Sequence, residues 1–152
     1  MGREMSRTPS LSRGGPMRRK LWSAIFLLIF LVSFLFSQNV QSIKTIANKI
    51  LANRGCRHIA VEIVKERNAI SFLFTFLRVN SGIKLTEDFV ACAEAVAKSI
   101  QQASWTSRAA YFKGQGKVIC WIYTRECQAA MKLRSVEQQG KYIIEHLNYL
   151  PQ

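Results

Sequence analysis

Four cysteines, two histidines and one glycine-rich loop are the residues in this chain of 152 whose types and spacing point toward chemistry. Cys120 and Cys127 flank the apolar run in "KVICWIYTREC", with Cys56 and Cys92 upstream. A thiol redox centre is expected as Cys-x-x-Cys, where a helix N-terminus lowers the pKa of the attacking thiol. The spacing here is Cys-x6-Cys, which leaves only a mild activation of Cys127 by its place near a helix start and does not make a redox motif. Structural zinc calls for paired ligands separated by about two to four residues, and the chain has no such pair. His58 and His146 lie far apart, and no spacing gathers a nucleophile, a base and an orienting carboxylate around either one. The loop "KGQGK", from Lys113 to Lys117, lacks the Gly-x4-Gly-Lys-Ser/Thr pattern of a phosphate loop. It reads as a lysine-flanked hairpin tip, with no helix N-terminus beside it to hold a phosphate. The expectation is a chain with no catalytic residue, no metal and no cofactor.

The elements that would carry these residues begin with a basic tail. Residues 1–20 hold six basic side chains against one acidic, and little that can be buried, so they are expected to be a disordered tail. Residues 21–37, "LWSAIFLLIFLVSFLFS", carry no charge. As a helix rising about 1.5 Å per residue they reach roughly 25 Å, near the lower limit for crossing a bilayer. Two readings stay open. One is an uncleaved transmembrane signal-anchor; the other is a signal peptide, for which Val40-Gln41-Ser42 is a passable cleavage site. Both leave the basic tail in the cytoplasm and send residues 38–152 across the membrane. The expected localisation is a single-pass membrane protein with an extracytoplasmic domain, or a secreted domain if the segment is removed.

The formal charge is +13, from 22 basic against nine acidic residues. Residues 21–152 keep sixteen basic against eight acidic, which favours lipid headgroups, acidic partners or nucleic acid without choosing among them.

Within residues 38–152, "NVQSIKTIANKILANR" spaces its apolar residues as one helix face and is followed by Gly55, a fitting C-cap. "HIAVEIVKE" alternates as a half-buried strand, and "AISFLFTFLRV" is apolar on both faces, as a central strand is. A second helix is expected over residues 86–104, opening on Thr86 with Glu87 and Asp88 in its first turn. Two strands, "SRAAYF" and "KVICWIYTR", then close through "KGQGK", and a last helix covers residues 126–149. The expected fold class is α+β: an αββαββα domain with a mostly antiparallel four-stranded sheet and helices on one face.

Strand alternation places Cys120 with Val118 and Ile122 on one face, and Ile119, Trp121 and Tyr123 on the other. Cys92 lies on the apolar face of its helix. Export would let disulfides persist, with Cys92–Cys120 and Cys56–Cys127 as the candidate bridges and buried free thiols as the alternative. Trp121 and Tyr123, the lysines Lys113 and Lys117, and Gly140, a glycine in the stripe of the last helix, are the candidate partner-facing residues. The reading of the whole is a membrane-anchored, non-enzymatic subunit or adaptor of an envelope or secretion-type complex. Its expected contacts are the membrane and a protein partner or second copy. The alternatives are a cleaved, secreted basic domain that binds anionic partners, nucleic acid or lipid, or an exported thiol-redox protein. Nucleic acid is disfavoured, because no basic strip interleaved with exposed aromatics is visible in the sequence.

Overall fold

A computed structural model describes residues 16–101 and 106–151, with side chains for residues 25–28, 39–101 and 106–151. The chain divides into two units, Met1–Ser37 and Gln38–Gln152. Helix α1, Pro16–Asn53, begins with proline at its first position, where the ring's fixed φ suits a helix start. The expected basic tail lies mostly outside the described residues; the expected membrane segment falls within α1, and its described side chains, Ile25, Phe26, Leu27 and Leu28, are exposed. Among the described residues no helix is long and apolar enough to cross a membrane.

In the second unit α1 buries Ile43, Ala47 and Leu51, one helical face at steps of four. It ends as the glycine spacing requires. Gly55 takes φ +74, its N–H bonds to the carbonyl of Ala52, and the Cys56 N–H reaches back to the carbonyl of Leu51. That pair of bonds is the Schellman end, which only a residue free of Cβ crowding closes cheaply.

Strands β1, Ile59–Lys65, and β2, Ala69–Phe76, form an antiparallel hairpin. Helix α2, Ile83–Ile100, crosses to β3, Thr106–Gly114, which returns as β4, Lys117–Tyr123. The turn between them, Gln115-Gly116, has positive φ at both residues, the primed geometry that matches strand twist. Helices α3, Thr124–Ala130, and α4, Val136–His146, follow, and β5, Asn148–Tyr149, closes the edge.

The fold is thus α+β with a mixed five-stranded sheet in the order β1-β2-β3-β4-β5. Three of its four pairings are antiparallel, against an expected sheet of four mostly antiparallel strands, and two features shape the difference. The pair β2–β3 is parallel, because a helical crossover returns the chain to the same end of the sheet before the next strand starts. The fifth strand comes from the end of what the sequence reads as one long helix. That helix is interrupted at Met131–Ser135, where the Ser135 hydroxyl accepts the Gln138 N–H and caps α4 afresh. Helix α2 also starts earlier than expected, after Gly82, and Thr86 serves inside it rather than as its cap.

The core joins Ile43, Ala47 and Leu51 to Val90, Cys92, Val96, Cys127, Ala130 and Ile143, all set against one side of the sheet. On that side Phe72, Phe74 and Phe112 are buried, with Phe74 and Phe112 stacked 5.8 Å apart and Phe89 edge-on to Phe112 at 4.9 Å. Such ring pairs contribute about 0.5–1.5 kcal/mol each beyond burial alone.

Gly140 is buried on the inner side of α4, and a Cβ there would run into the Thr86 methyl of α2. The close approach inferred from its sequence position is met by Thr86 and Val90 of α2 in the same chain. Gly140→Ala is expected to destabilise the domain by about 1–3 kcal/mol through overpacking, despite a gain near 1 kcal/mol in helix propensity. Adding Thr86→Ser, which removes the obstructing methyl, should restore part of the loss in urea unfolding; equal stability of wild type and Gly140→Ala refutes the contact.

Candidate functional site

Two places gather the polar and aromatic side chains of the domain. The first is a carboxylate hub at the start of β1. The Gly55 turn delivers Cys56 into the core and His58 just behind it, and the second turn of α2 brings Asp88 against both. Cys56 Sγ donates to Asp88 Oδ1 at 3.4 Å, His58 Nε2 lies 3.0 Å from Oδ2, and Asn80 Nδ2 donates to Oδ2 at 2.7 Å. A carboxylate only accepts, so Nε2 is the nitrogen that carries the hydrogen. Asp88 is 2 % exposed, and these donors offset the desolvation of its charge.

The residue types are those of a thiol hydrolase, but the order is not. In such a triad the imidazole sits between thiol and carboxylate and takes the thiol's proton; here the carboxylate sits between thiol and imidazole. Burial, followed by the hydrogen bond to Asp88, pushes the Cys56 thiol up to about 11. Its proton is held rather than released. The arrangement ties β1, the loop after β2 and α2 together.

All four cysteines are buried free thiols, and neither Cys92–Cys120 nor Cys56–Cys127 is bridged. Burial pushes Cys120 up to about 11 and Cys127 up to about 12. Cys92 is pushed well above the ordinary value by burial, with Cys56, Asp88 and Cys127 adding to the rise. The thiols that act on Cys92 are thus Cys56 and Cys127, while Cys120 stands on the sheet among the aromatic rings. Among the described residues no group of three or more histidine, cysteine or acidic side chains is set to hold a metal ion.

A second buried carboxylate, Glu94, joins the end of α1 to α2. Arg54 Nη2 lies 2.6 Å from its Oε2 and Lys98 Nζ 2.6 Å from its Oε1. Burial raises its pKa, but the hydrogen bonds from Lys98 and Arg54 outweigh that, and the net shift is downward.

The second place is the face of the sheet turned away from the core. Register lines up Glu62, Leu73, Tyr111, Trp121 and Asn148 in one row across all five strands. Trp121 meets Tyr123 edge-on at 4.7 Å and Tyr111 at 6.3 Å. The Arg125 guanidinium covers the Tyr123 ring at 4.9 Å, Arg108 pairs with Glu66 at 3.3 Å, and Lys113 shares its row with Thr75. Tyr123 is 43 % exposed and Trp121 is half-buried. The candidate partner-facing residues Trp121, Tyr123 and Lys113 therefore stand on one face, whereas Lys117 is exposed at the hairpin end opposite Gly114.

One placement differs from simple alternation. A bulge between Phe112 and Lys113 sets Lys113 against Val118 and Phe112 against Cys120, so Ile119 is the extra residue. Ile119 then lines a cleft of about 150 Å³ with Phe112 and Cys120 instead of joining Trp121 and Tyr123. Sequence reading missed Asp88, Asn80 and His58 as partners, since residues 58, 80 and 88 belong to three separate elements. Arg108, Tyr111 and Arg125 were missed as well: Arg108 and Tyr111 lie on β3 and Arg125 in the first turn of α3, and the strand pairing and the Arg125–Tyr123 contact are what bring them beside Trp121 and Tyr123.

No protein-family model matches the chain, and neither does any curated protein or solved structure.

Asp88→Ala is expected to lower unfolding free energy by about 1–3 kcal/mol, because it strands buried donors; an unchanged urea midpoint means that the hub holds nothing. The Glu94 pKa lies below its ordinary 4.5 in the folded chain, so its contribution is present above that pH and fades as pH falls through the folded pKa. Glu94→Gln should accordingly lower stability at neutral pH and flatten the acid limb of the stability curve, read from urea titrations on both sides of pH 4.5.

Proposed function

We propose that this protein is a membrane-anchored, non-enzymatic subunit or adaptor, whose exported domain docks a protein partner on the open face of its sheet. The observation that carries the reading is that face. Leu73, Tyr111, Trp121 and Tyr123 form a partly exposed apolar row, and Arg108, Lys113 and Arg125 stand along it. Tryptophan, tyrosine and arginine are the side chains that dominate binding energy at protein interfaces, and basic residues along the row select a partner whose apolar patch is flanked by carboxylates. The apolar residues of the 21–37 segment and the arginines before it motivate the anchor and the cytoplasmic tail.

The thiols support the non-enzymatic reading. With Cys56, Cys120 and Cys127 pushed to about 11 or 12, almost none is thiolate near neutral pH, and the thiolate is the nucleophile. An exported redox role is therefore the weakest of the alternatives. Nucleic acid gains ground as the second reading, because Arg108, Lys113 and Arg125 among Tyr111, Trp121 and Tyr123 make the interleaved basic and aromatic strip that the sequence hides. Bases would stack on the rings and phosphates lie against the cations.

Trp121→Ala in the full chain is expected to leave the fold intact by circular dichroism and to weaken partner binding by about 2 kcal/mol or more, the loss typical of a central aromatic anchor. The readout is the sedimentation of the complex extracted from native membranes. If wild type extracts as a lone monomer, the adaptor reading fails. Binding to single-stranded oligonucleotide that falls steeply with salt and is lost in Trp121→Ala would replace it with the second reading. An intact mass retaining residues 21–37 is expected of an anchor; its loss identifies the secreted form.

A further inference from the structure

The domain carries a second surface of opposite character, between the first turn of α2 and the outer side of α4. Gly140 of α4 packs against Thr86 of α2, and a groove of about 700 Å³ beside that contact is lined by residues of both helices. Its lining includes three exposed apolar side chains: Ile83 is 82 % exposed, Val136 42 % and Ile144 43 %. Its rim holds Glu87, Glu137 and Glu145, with Lys141 the one cation among the residues that line it.

The contrast with the rest of the chain is what gives the groove meaning. Residues 21–152 contain only eight acidic side chains, and three of them border this groove. Among the described residues none of the three makes an ion pair: the salt bridges of the domain use Glu66, Asp88, Glu94 and Glu126. Lys141, four residues from both Glu137 and Glu145, offsets part of the repulsion among the carboxylates and leaves the lining net acidic.

We infer that this groove docks an amphipathic helix of a partner protein, with apolar residues at helical spacing against Ile83, Val136 and Ile144 and lysine or arginine beside them against Glu87, Glu137 and Glu145. Laying the apolar side of a helix into a groove between two others is a recurrent mode of recognition, and three carboxylates at the rim fix the charge of the incoming flanks. The open sheet face, basic and aromatic, calls for the opposite partner chemistry. The two surfaces are independent, and loss of binding at one leaves the other intact.

The test uses the full chain in phosphatidylcholine nanodiscs and a fluorescein-labelled four-turn peptide of leucine, alanine and lysine, with leucines at helical spacing, alongside a twin in which glutamate replaces lysine. Fluorescence anisotropy is expected to show saturable binding of the lysine peptide to wild type and weaker binding of the twin. Glu137→Lys with Glu145→Lys should weaken the lysine peptide by about tenfold or more and strengthen the twin. Ile83→Ser, at an exposed position where folding is not at stake, should weaken both. Trp121→Ala should change neither. Absence of lysine-peptide binding to wild type, equal binding by the charge-reversed variant, or insensitivity to Ile83→Ser overturns the inference. So does a wild-type dimer in sedimentation that Ile144→Asp dissociates without effect on the peptide, which assigns the groove to a second copy of the chain.

Discussion

The parallel pairing of β2 with β3 is the constraint on which the rest of the domain depends. Two hairpins joined directly would run antiparallel throughout, but α2 carries the chain back across one side of the sheet before β3 begins. A single crossover helix covers only the side of the sheet that it passes over. Phe72, Phe74 and Phe112 follow α2 into the core, and Leu73, Tyr111 and Trp121, one residue away in each strand, are turned outward by the two-residue period of the strand. The same crossover brings Asp88 over the start of β1, so the hub of Cys56, His58 and Asn80 is a consequence of where α2 begins.

Much of this was legible in the sequence because it rests on local patterns. The helix face of Ile43, Ala47 and Leu51, the glycine end at Gly55, the two hairpins and the tip at Gln115-Gly116 each follow from spacing and turn chemistry within a few residues. What was not legible depends on distance. Strand direction is settled by which strands become neighbours, and no residue in β2 or β3 announces it. The bulge at Ile119 changes the face of Val118 without leaving a mark in the alternation. Ser135 was overridden by the apolar stripe around it, although Ser135 with Gln138 at the third helical position is the pattern of a helix start.

The cysteines show the same limit from another side. Strand and helix parity put Cys92 and Cys120 on surfaces that face each other, which is necessary for a bridge but far from sufficient, since Cα separations must also fall near 4.4–6.8 Å. In the fold Cys92 keeps company with Cys56 and Cys127, residues drawn to it by the Gly55 turn and by α3. A thiol in such surroundings behaves as a small apolar side chain with a weak donor. Cysteine content alone therefore says little about redox chemistry in this chain, and the chemistry that matters lies in charge and exposed apolar area.

That distribution is uneven in a way that bears on assembly. A strongly basic chain resists self-association, since like surfaces repel. Here the basic residues of the outer sheet face are interleaved with aromatic rings, while three carboxylates border an apolar groove on the helical side. The first surface is shaped by strands and presents a flat row of rings; the second is shaped by two helices and presents a channel. A single occupant complementary to one would be repelled by the other. Neither surface is self-complementary in charge, as a two-fold interface between identical patches would require, so any contact at either one joins unlike surfaces.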